Sequence, residues 1–438
     1  MVTIDEITKH PLFESRANQY YRWYPHHLSR VGEKIDISSP SPRGIYIHVP
    51  FCDRICRFCP FNKRVSNPDL IHSYVNALKN EIRISSEIFG SGNIKFIYFG
   101  GGTPSALSFV HIYEILDDLR HHFSISPNAE VTLEFHPTHA SIKYLKEVQR
   151  AGVTRISSGI QSFHQEILNT IGAQHNLSDG IQCINLVQDT FSSIAIDLLY
   201  RCPNQSLADV EHDIEIASKF EGVNHISTYS FIPVSEYAPL PESKTEIKMA
   251  IMLHDRLNES GYIHYASCAS GGFDFARNGS TCKYEVLHWG APQTEFIGLG
   301  PGAFGFVGNS VTINHLSIDS YCKSLSNNAL PLVSVTPTSE AELKRRYFVL
   351  GVKTLDVDLK QYRSLFASDA AKDFSREFDY LKDQGFITLD QNRMVLTDIG
   401  RLFTDTISEV FFSSEQKQIP HPEEHEIRNF QTPINIIV

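Results

Sequence analysis

The sequence predicts an α/β fold, because six short β-rich apolar runs alternate with amphipathic helical segments. Each polar or glycine-rich motif of note also falls at or just past the end of one of those runs. Such alternation implies parallel strands joined by right-handed helical crossovers, in an open doubly wound sheet or a partial β/α barrel. Either architecture collects its chemistry at the carboxyl ends of the strands.

The strand runs are Ile45–Val49, Ile94–Phe99, Glu130–Phe135, Thr154–Gly159, Ser193–Leu198 and Asn224–Tyr229. Between the first two, Leu70, Tyr74, Leu78 and Ile82 recur at fourfold spacing and share one helix face. Residues 106–121, 140–150, 164–188 and 206–219 read as further helices. On this map Cys52, Cys56 and Cys59 follow the first strand, and Gly100, Gly101, Gly102 and Thr103 follow the second. Glu134 lies near the end of the third, Gln161 just past the fourth, Asp197 at the end of the fifth and Tyr229 at the end of the sixth.

A second region begins near Val335. Ala341–Leu355 reads as helical, Phe374, Phe378 and Leu381 share a helix face, and Gly385 is the stop signal. Two short strands, Phe386–Leu389 and Arg393–Thr397, complete a winged-helix-like α+β module. Its helix mixes Asp373, Glu377 and Asp379 with Lys372 and Arg376, so it offers no basic stripe for nucleic acid. Four segments are therefore expected: an N-terminal arm (1–40), a main domain (41–334, core barrel about 45–230), the small module (335–412) and a polar tail (413–438).

The 438 residues are 42% hydrophobic and 11% aromatic, enough for a sizeable core and against disorder of the whole chain. A net charge of −11 argues against a protein built to grip phosphate backbones. No apolar run is long enough for a membrane span, and the N-terminus lacks a signal-peptide core, so a cytoplasmic location is expected. There, clustered cysteines more often bind metal than form disulfides. Of the 8 cysteines, Cys183, Cys202, Cys268, Cys282 and Cys322 are scattered and read as core or near-surface residues. Cys52, Cys56 and Cys59 form a Cys-x3-Cys-x2-Cys loop. Structural zinc would want a fourth protein ligand, and no Cys or His pair follows at finger spacing. Three thiolates on a four-iron cluster leave one iron open.

This triplet, with Gly100-Gly101-Gly102-Thr103-Pro104 after the second strand, resembles the radical S-adenosylmethionine (SAM) superfamily. Tyr46–Cys52, Gly159–Phe163, Ile196–Tyr200, His225–Tyr229 and Phe296–Ala303 resemble its oxygen-independent coproporphyrinogen III oxidase-like branch over roughly residues 20–410. The resemblance implies a partial (β/α)6 TIM-like barrel of radical SAM type. It implies a [4Fe-4S] cluster on Cys52, Cys56 and Cys59, with one or two SAM molecules. It also implies reductive cleavage of SAM to a 5′-deoxyadenosyl radical, fed by a flavodoxin- or ferredoxin-type electron donor and directed at a small-molecule substrate. Gly100, Gly101, Gly102 and Thr103 are then expected to bind SAM. So are Glu134, Gln161 and Asp197, with Gln161 and Asp197 also catalytic candidates and Tyr46 packing by the cluster.

The branch includes decarboxylation of coproporphyrinogen III, methyl transfer or cyclopropanation, and haem binding for delivery. Departures distinguish them. The oxidases' extra cysteine after the triplet is absent from Cys59-Pro60-Phe61-Asn62-Lys63. The haem-delivering relatives' His-Asn-x-x-Tyr-Trp becomes Tyr284-Glu285-Val286-Leu287-His288-Trp289, in which His288 reads as an axial ligand, a proton donor or a core histidine. An arginine expected to meet a SAM carboxylate is replaced by Ala173 in Gly172-Ala173-Gln174-His175. These losses favour radical C-methylation or cyclopropanation. Tyr21-x-x-Tyr24-Pro25 resembles the arm of the oxidases and keeps decarboxylation open. Gly298-x-Gly300-x-x-Ala303 imitates a dinucleotide fingerprint, yet no helix with an acidic ribose partner follows.

Overall fold

The structure, a computed structural model, describes residues 4–14, 24–25, 41–267, 272–290 and 293–418. Tyr21, Cys268 and the tail beyond Gln418 lie outside the described residues.

The six expected strands are present as β1 (Gly44–Val49), β2 (Ile94–Gly101), β3 (Ile125–Phe135), β4 (Arg155–Gln161), β5 (Ile194–Tyr200) and β6 (Val223–Ser230). They pair in chain order and all in parallel, which makes the partial barrel wall. Their crossover helices start on side-chain caps that satisfy free N–H groups. Asn67, Ser108, Ser141 and Ser206 each accept a bond from the backbone N–H three residues on. The segment 164–188, read as one helix, is two: Gln165–Ile171 ends on left-handed Gly172 (φ 74°), and Leu177–Gln188 restarts on an Asn176 capping box. The glycine permits the backbone reversal that a continuous helix forbids.

Beyond β6 the chain adds strands at both flanks, all in antiparallel pairings except that Phe296–Leu299 pairs parallel with β1. These are β7 (Ile263–Ala266), β8 (Phe273–Ala276), β9 (Phe296–Leu299), β10 (Phe304–Val307), β11 (Ser310–Asn314) and β12 (Leu332–Pro337). The twelve-stranded sheet runs β12-β11-β10-β9-β1-β2-β3-β4-β5-β6-β8-β7. The boundary expected at 335 thus falls inside edge strand β12. The dinucleotide-like glycines end β9 and lead into antiparallel β10, where such a fingerprint would need a helix.

Glu81, in the first crossover helix Pro68–Phe89, ties this flank to the barrel. Its carboxylate accepts from Tyr321 Oη (2.6 Å), Gly300 N (2.8 Å) and Asn314 Nδ2 (2.7 Å), and only 1% of the residue is exposed.

The C-terminal part folds around its own apolar core, in which Phe348, Phe374, Phe378 and Phe411 pack ring against ring. A three-stranded sheet (Asp356–Asp358, Arg393–Leu396, Ile387–Leu389) lies beside helices Glu340–Gly351, Leu359–Phe366 and Ser375–Asp383. Ile7, Ile247 and Trp289 enter the same core, so the N-terminal turn and the main domain share it. Among the described residues no helix is long and apolar enough to cross a membrane.

Candidate active site

The cysteine loop leaves β1 at Pro50 and is closed by a two-residue parallel bridge, Phe51–Cys52 with Arg64–Val65. Backbone bonds Arg64 N to Pro50 O and Ser66 N to Cys52 O fasten its neck. Lys63 Nζ donates to Cys59 O (2.6 Å), and Asn62 Nδ2 reaches Pro301 O and Leu316 O. Cys52 is buried, while Cys56 and Cys59 are half-buried.

Burial raises the Cys52 thiol pKa, a shift opposed by the hydroxyl of Thr103, which donates to Cys52 Sγ at 3.3 Å. Burial pushes Cys56 up to about 11, against a bond from the Gln174 backbone. Each is raised further by its neighbours in the triplet, so the three sulfurs share one electrostatic environment. The all-sulfur donor set fits a polynuclear iron–sulfur centre.

The turn after β2 joins this loop to the carboxylate at the end of β3. Gly101 N donates to Glu134 Oε2 (3.2 Å), and Tyr98 Oη donates to Glu134 Oε1 (2.9 Å). Gly102 N donates to Val49 O (2.8 Å), so the chain itself uses the N–H groups of Gly101 and Gly102. Gly101 has a left-handed φ of 112°, and a Cβ there would sit 2.7 Å from the His48 ring. Close packing on the chain's own residues is therefore one reason for the glycines.

Gln161 ends β4 at a register irregularity with φ 67°, uncommon for a residue with a side chain. Its amide folds over Gly159, where a Cβ would come within 2.4 Å of Nε2. Asp197, expected at the end of β5, is its fourth residue and belongs to a layer paired across four strands: Gly159, Asp197, Ser227 and Asp274. Tyr46 lies in the barrel's aromatic interior, stacked with Tyr98 (6.1 Å) and with Tyr284 (5.8 Å) of helix Lys283–Gly290. His288 of that helix is packed by Tyr284, Trp289, Phe296 and Phe304 and is 2% exposed, as a core histidine is.

Several site residues escaped the sequence reading. Inside the barrel, Asp274 and Glu134 act electrostatically on both Asp197 and Glu285, and Arg155 acts on both in the opposite sense. Burial, then Glu134 and Asp274, lift Asp197 well above the carboxylate range, and Arg155 opposes the shift. Burial, then Asp274, push Glu285 up to about 8, while Trp289 Nε1 donates to its carboxyl. Arg155 and Tyr98 were legible by alternation, because strand residues two apart line one face. Glu285 and Asp274 come from later segments, with no such signal.

Beside the cysteine loop, His136 contacts the rings of His139 and His175, and His139 Nε2 lies 3.0 Å from Asp53 Oδ2. Burial, then His175 and His139, push His136 down to about 4. Over the loop, Arg57 stacks on Tyr237 (4.0 Å), and Phe58, Ala173, Leu199, Tyr237 and Leu240 pack against an apolar cluster that includes Phe231. Ala173, where an arginine was expected, is thus part of an apolar cap.

Residues 46–217 match the family described as the Radical SAM superfamily. The chain is 27% identical over 382 residues to the heme chaperone HemW of Bacillus subtilis, covering 84% of this chain and 99% of the relative. It is 30% identical over 274 residues to HemW of Escherichia coli, covering 61% of this chain and 70% of the relative. In fold it is similar to coproporphyrinogen III oxidase (HemN) from Escherichia coli, with a TM-score of 0.78 and 21% identity over 90% of this chain and 96% of the other.

Proposed function

The chain belongs to the radical SAM superfamily, in its coproporphyrinogen III oxidase-like branch, and from that premise we propose that it is an enzyme acting on a small organic substrate. In this reading Cys52, Cys56 and Cys59 hold a [4Fe-4S] cluster, and SAM lies over the rim between the cysteine loop and Glu134. When bound, the cluster supplies an electron and an open iron at which SAM is cleaved reductively.

One observation carries the reading. The single turn Gly100–Thr103 is bonded at one end to the sulfur of Cys52 and at the other to the carboxylate of Glu134. A displacement of one therefore displaces the other, as a site that must align cluster and nucleoside requires. Glu134, oriented by Tyr98 and Gly101, would accept from a ribose hydroxyl or amino group. Gln161 and Asp197 line the same interior. The apolar cluster around Phe58 and Tyr237 packs beside the cysteine loop. A flavodoxin- or ferredoxin-type protein would deliver the electron, in the cytoplasm.

For the reaction we favour C-methylation or cyclopropanation, on the absent cysteine after Cys59 and on Ala173. A second reading, haem binding and delivery, is favoured by the names of the relatives matched along nearly their whole length. The burial of His288 among aromatic rings weighs against that residue as haem ligand.

The test is anaerobic reconstitution followed by dithionite, methyl-labelled SAM and coproporphyrinogen III. Deoxyadenosine formation that disappears in the Cys52→Ala, Cys56→Ala, Cys59→Ala variant is expected, with label moving to a co-purified small molecule. Persistent cleavage in that variant overturns the scheme. Vinyl porphyrin products establish decarboxylation instead. A stable Soret band with no deoxyadenosine establishes haem binding.

A further inference from the structure

A second constellation of metal-capable groups stands apart from the cysteine loop. It is built from the turn after β4 and helix Leu207–Lys219. His164, His212 and Asp213 place their ligand atoms within 4.8 Å of one another. The two imidazoles lie 4.6 Å apart, centroid to centroid, tilted by 49°. Asp209, one turn earlier on the helix, brings Oδ1 to 3.8 Å from His164 Nε2. A cleft of about 230 Å³, lined by His164, Asp209, Glu166, Thr170 and Asn204, opens beside them.

We propose that His164, His212 and Asp213 bind one divalent transition-metal ion of the zinc type, with Asp209 or water completing the coordination. Imidazole and carboxylate together suit this class of ion. Bonds of about 2.0–2.2 Å set tetrahedral donors roughly 3.4 Å apart. The set must therefore tighten, and His212, exposed at the surface, has the rotamer freedom to do so.

Asp213 is pre-oriented. Its Oδ1 accepts from Phe163 N (2.6 Å) and Ser162 Oγ (3.1 Å), and its Oδ2 accepts from Ser162 Oγ at 2.9 Å. Oδ2, with one such bond, retains a lone pair, and such supporting bonds are what hold a ligand for its metal. The ion would brace Ser162 and Phe163, which directly follow Gln161 on the rim. The inference is independent of the SAM chemistry.

The test is calorimetric titration of the reconstituted, chelator-washed full chain with Zn2+, with metal analysis alongside. About one equivalent beyond the cluster metal is expected, with affinity at least 10-fold weaker in His164→Ala and in His212→Gln. The exposed His212 supplies a variant that leaves folding undisturbed. A control that changes a histidine pair elsewhere, His121→Ala with His122→Ala at the end of helix Phe109–His122, should bind as wild type. Unchanged affinity in both site variants, or no stoichiometric uptake by wild type, overturns the proposal. In the variant lacking Cys52, Cys56 and Cys59 the site should persist, and its loss there would place the zinc on the cysteines and overturn the proposal.

Discussion

The backbone N–H of Gly101 donates to the carboxylate of Glu134 at 3.2 Å, and the residue two further along, Thr103, donates its hydroxyl to Cys52 Sγ at 3.3 Å. The carboxylate is thus fixed relative to the cysteine loop before any ligand arrives. Converting Glu134 to Ala removes the acceptor and frees Gly101 and Tyr98. SAM affinity, measured by equilibrium dialysis on reconstituted protein, should fall at least 10-fold while the iron–sulfur absorption is kept. Glu134→Gln, which keeps one acceptor, should fall in between. Unchanged affinity in both would make Glu134 scaffold.

The stacking of Arg57 on Tyr237 predicts a latch between the cysteine loop and the segment after β6. Tyr237 also donates its hydroxyl to Ile171 O (3.3 Å), so Tyr237→Leu removes two contacts at once. A cation–π pair at an exposed site is worth about 0.5–1 kcal/mol. Amide hydrogen exchange over residues 231–242 should accelerate by about two- to fivefold, with the barrel strands unaffected. Exchange at the wild-type rate would show that the apolar cap holds without the latch.

Much of this architecture was legible because the barrel strands repeat one physical rule. Ile45, Ile47 and Val49 are buried on the helix-covered face of β1, while Tyr46 and His48 turn inward beside Tyr98 and Gly100 of β2. The motif positions followed once the strands were placed. What escaped was long-range pairing. Nothing local marks Glu285 of helix Lys283–Gly290 as a neighbour of Asp274 on β8, or His164 as a neighbour of His212. Glu81 was half legible: the stripe Tyr74, Leu78, Ile82 puts position 81 on its edge, and a charged residue there signals a buried partner set.

Glu81 predicts a large single-residue effect on stability outside the site. Truncation to Ala would leave Tyr321, Gly300 and Asn314 donors buried without their acceptor. Orphaned buried groups cost about 1–3 kcal/mol each and relax partly, so a loss of roughly 3–5 kcal/mol is expected. Chemical denaturation followed by far-UV dichroism would measure it. A loss below about 1 kcal/mol would mean that water takes the place of the carboxylate.

Glu285 predicts a pH dependence whose sign is fixed by its surroundings. Burial first, and then Asp274, push its carboxyl up to about 8, well above its unfolded value. Between those two values the folded chain binds more protons than the unfolded chain. Stability from this group is therefore complete below the unfolded pKa and is lost as pH rises toward 8. Glu285→Gln keeps an oxygen for the Trp289 indole N–H, which bonds the carboxyl in the wild type, and removes the titration. The melting temperature of the variant relative to wild type should rise steadily from pH 5 to pH 8 and then level off. Asp197, lifted in the same direction by burial and by Glu134, is present in both proteins, so the difference between the two curves reports position 285 together with the groups that interact with it. A difference that is flat with pH would mean that Glu285 is ionised in the folded barrel and paired with Arg155, reversing its part in the interior.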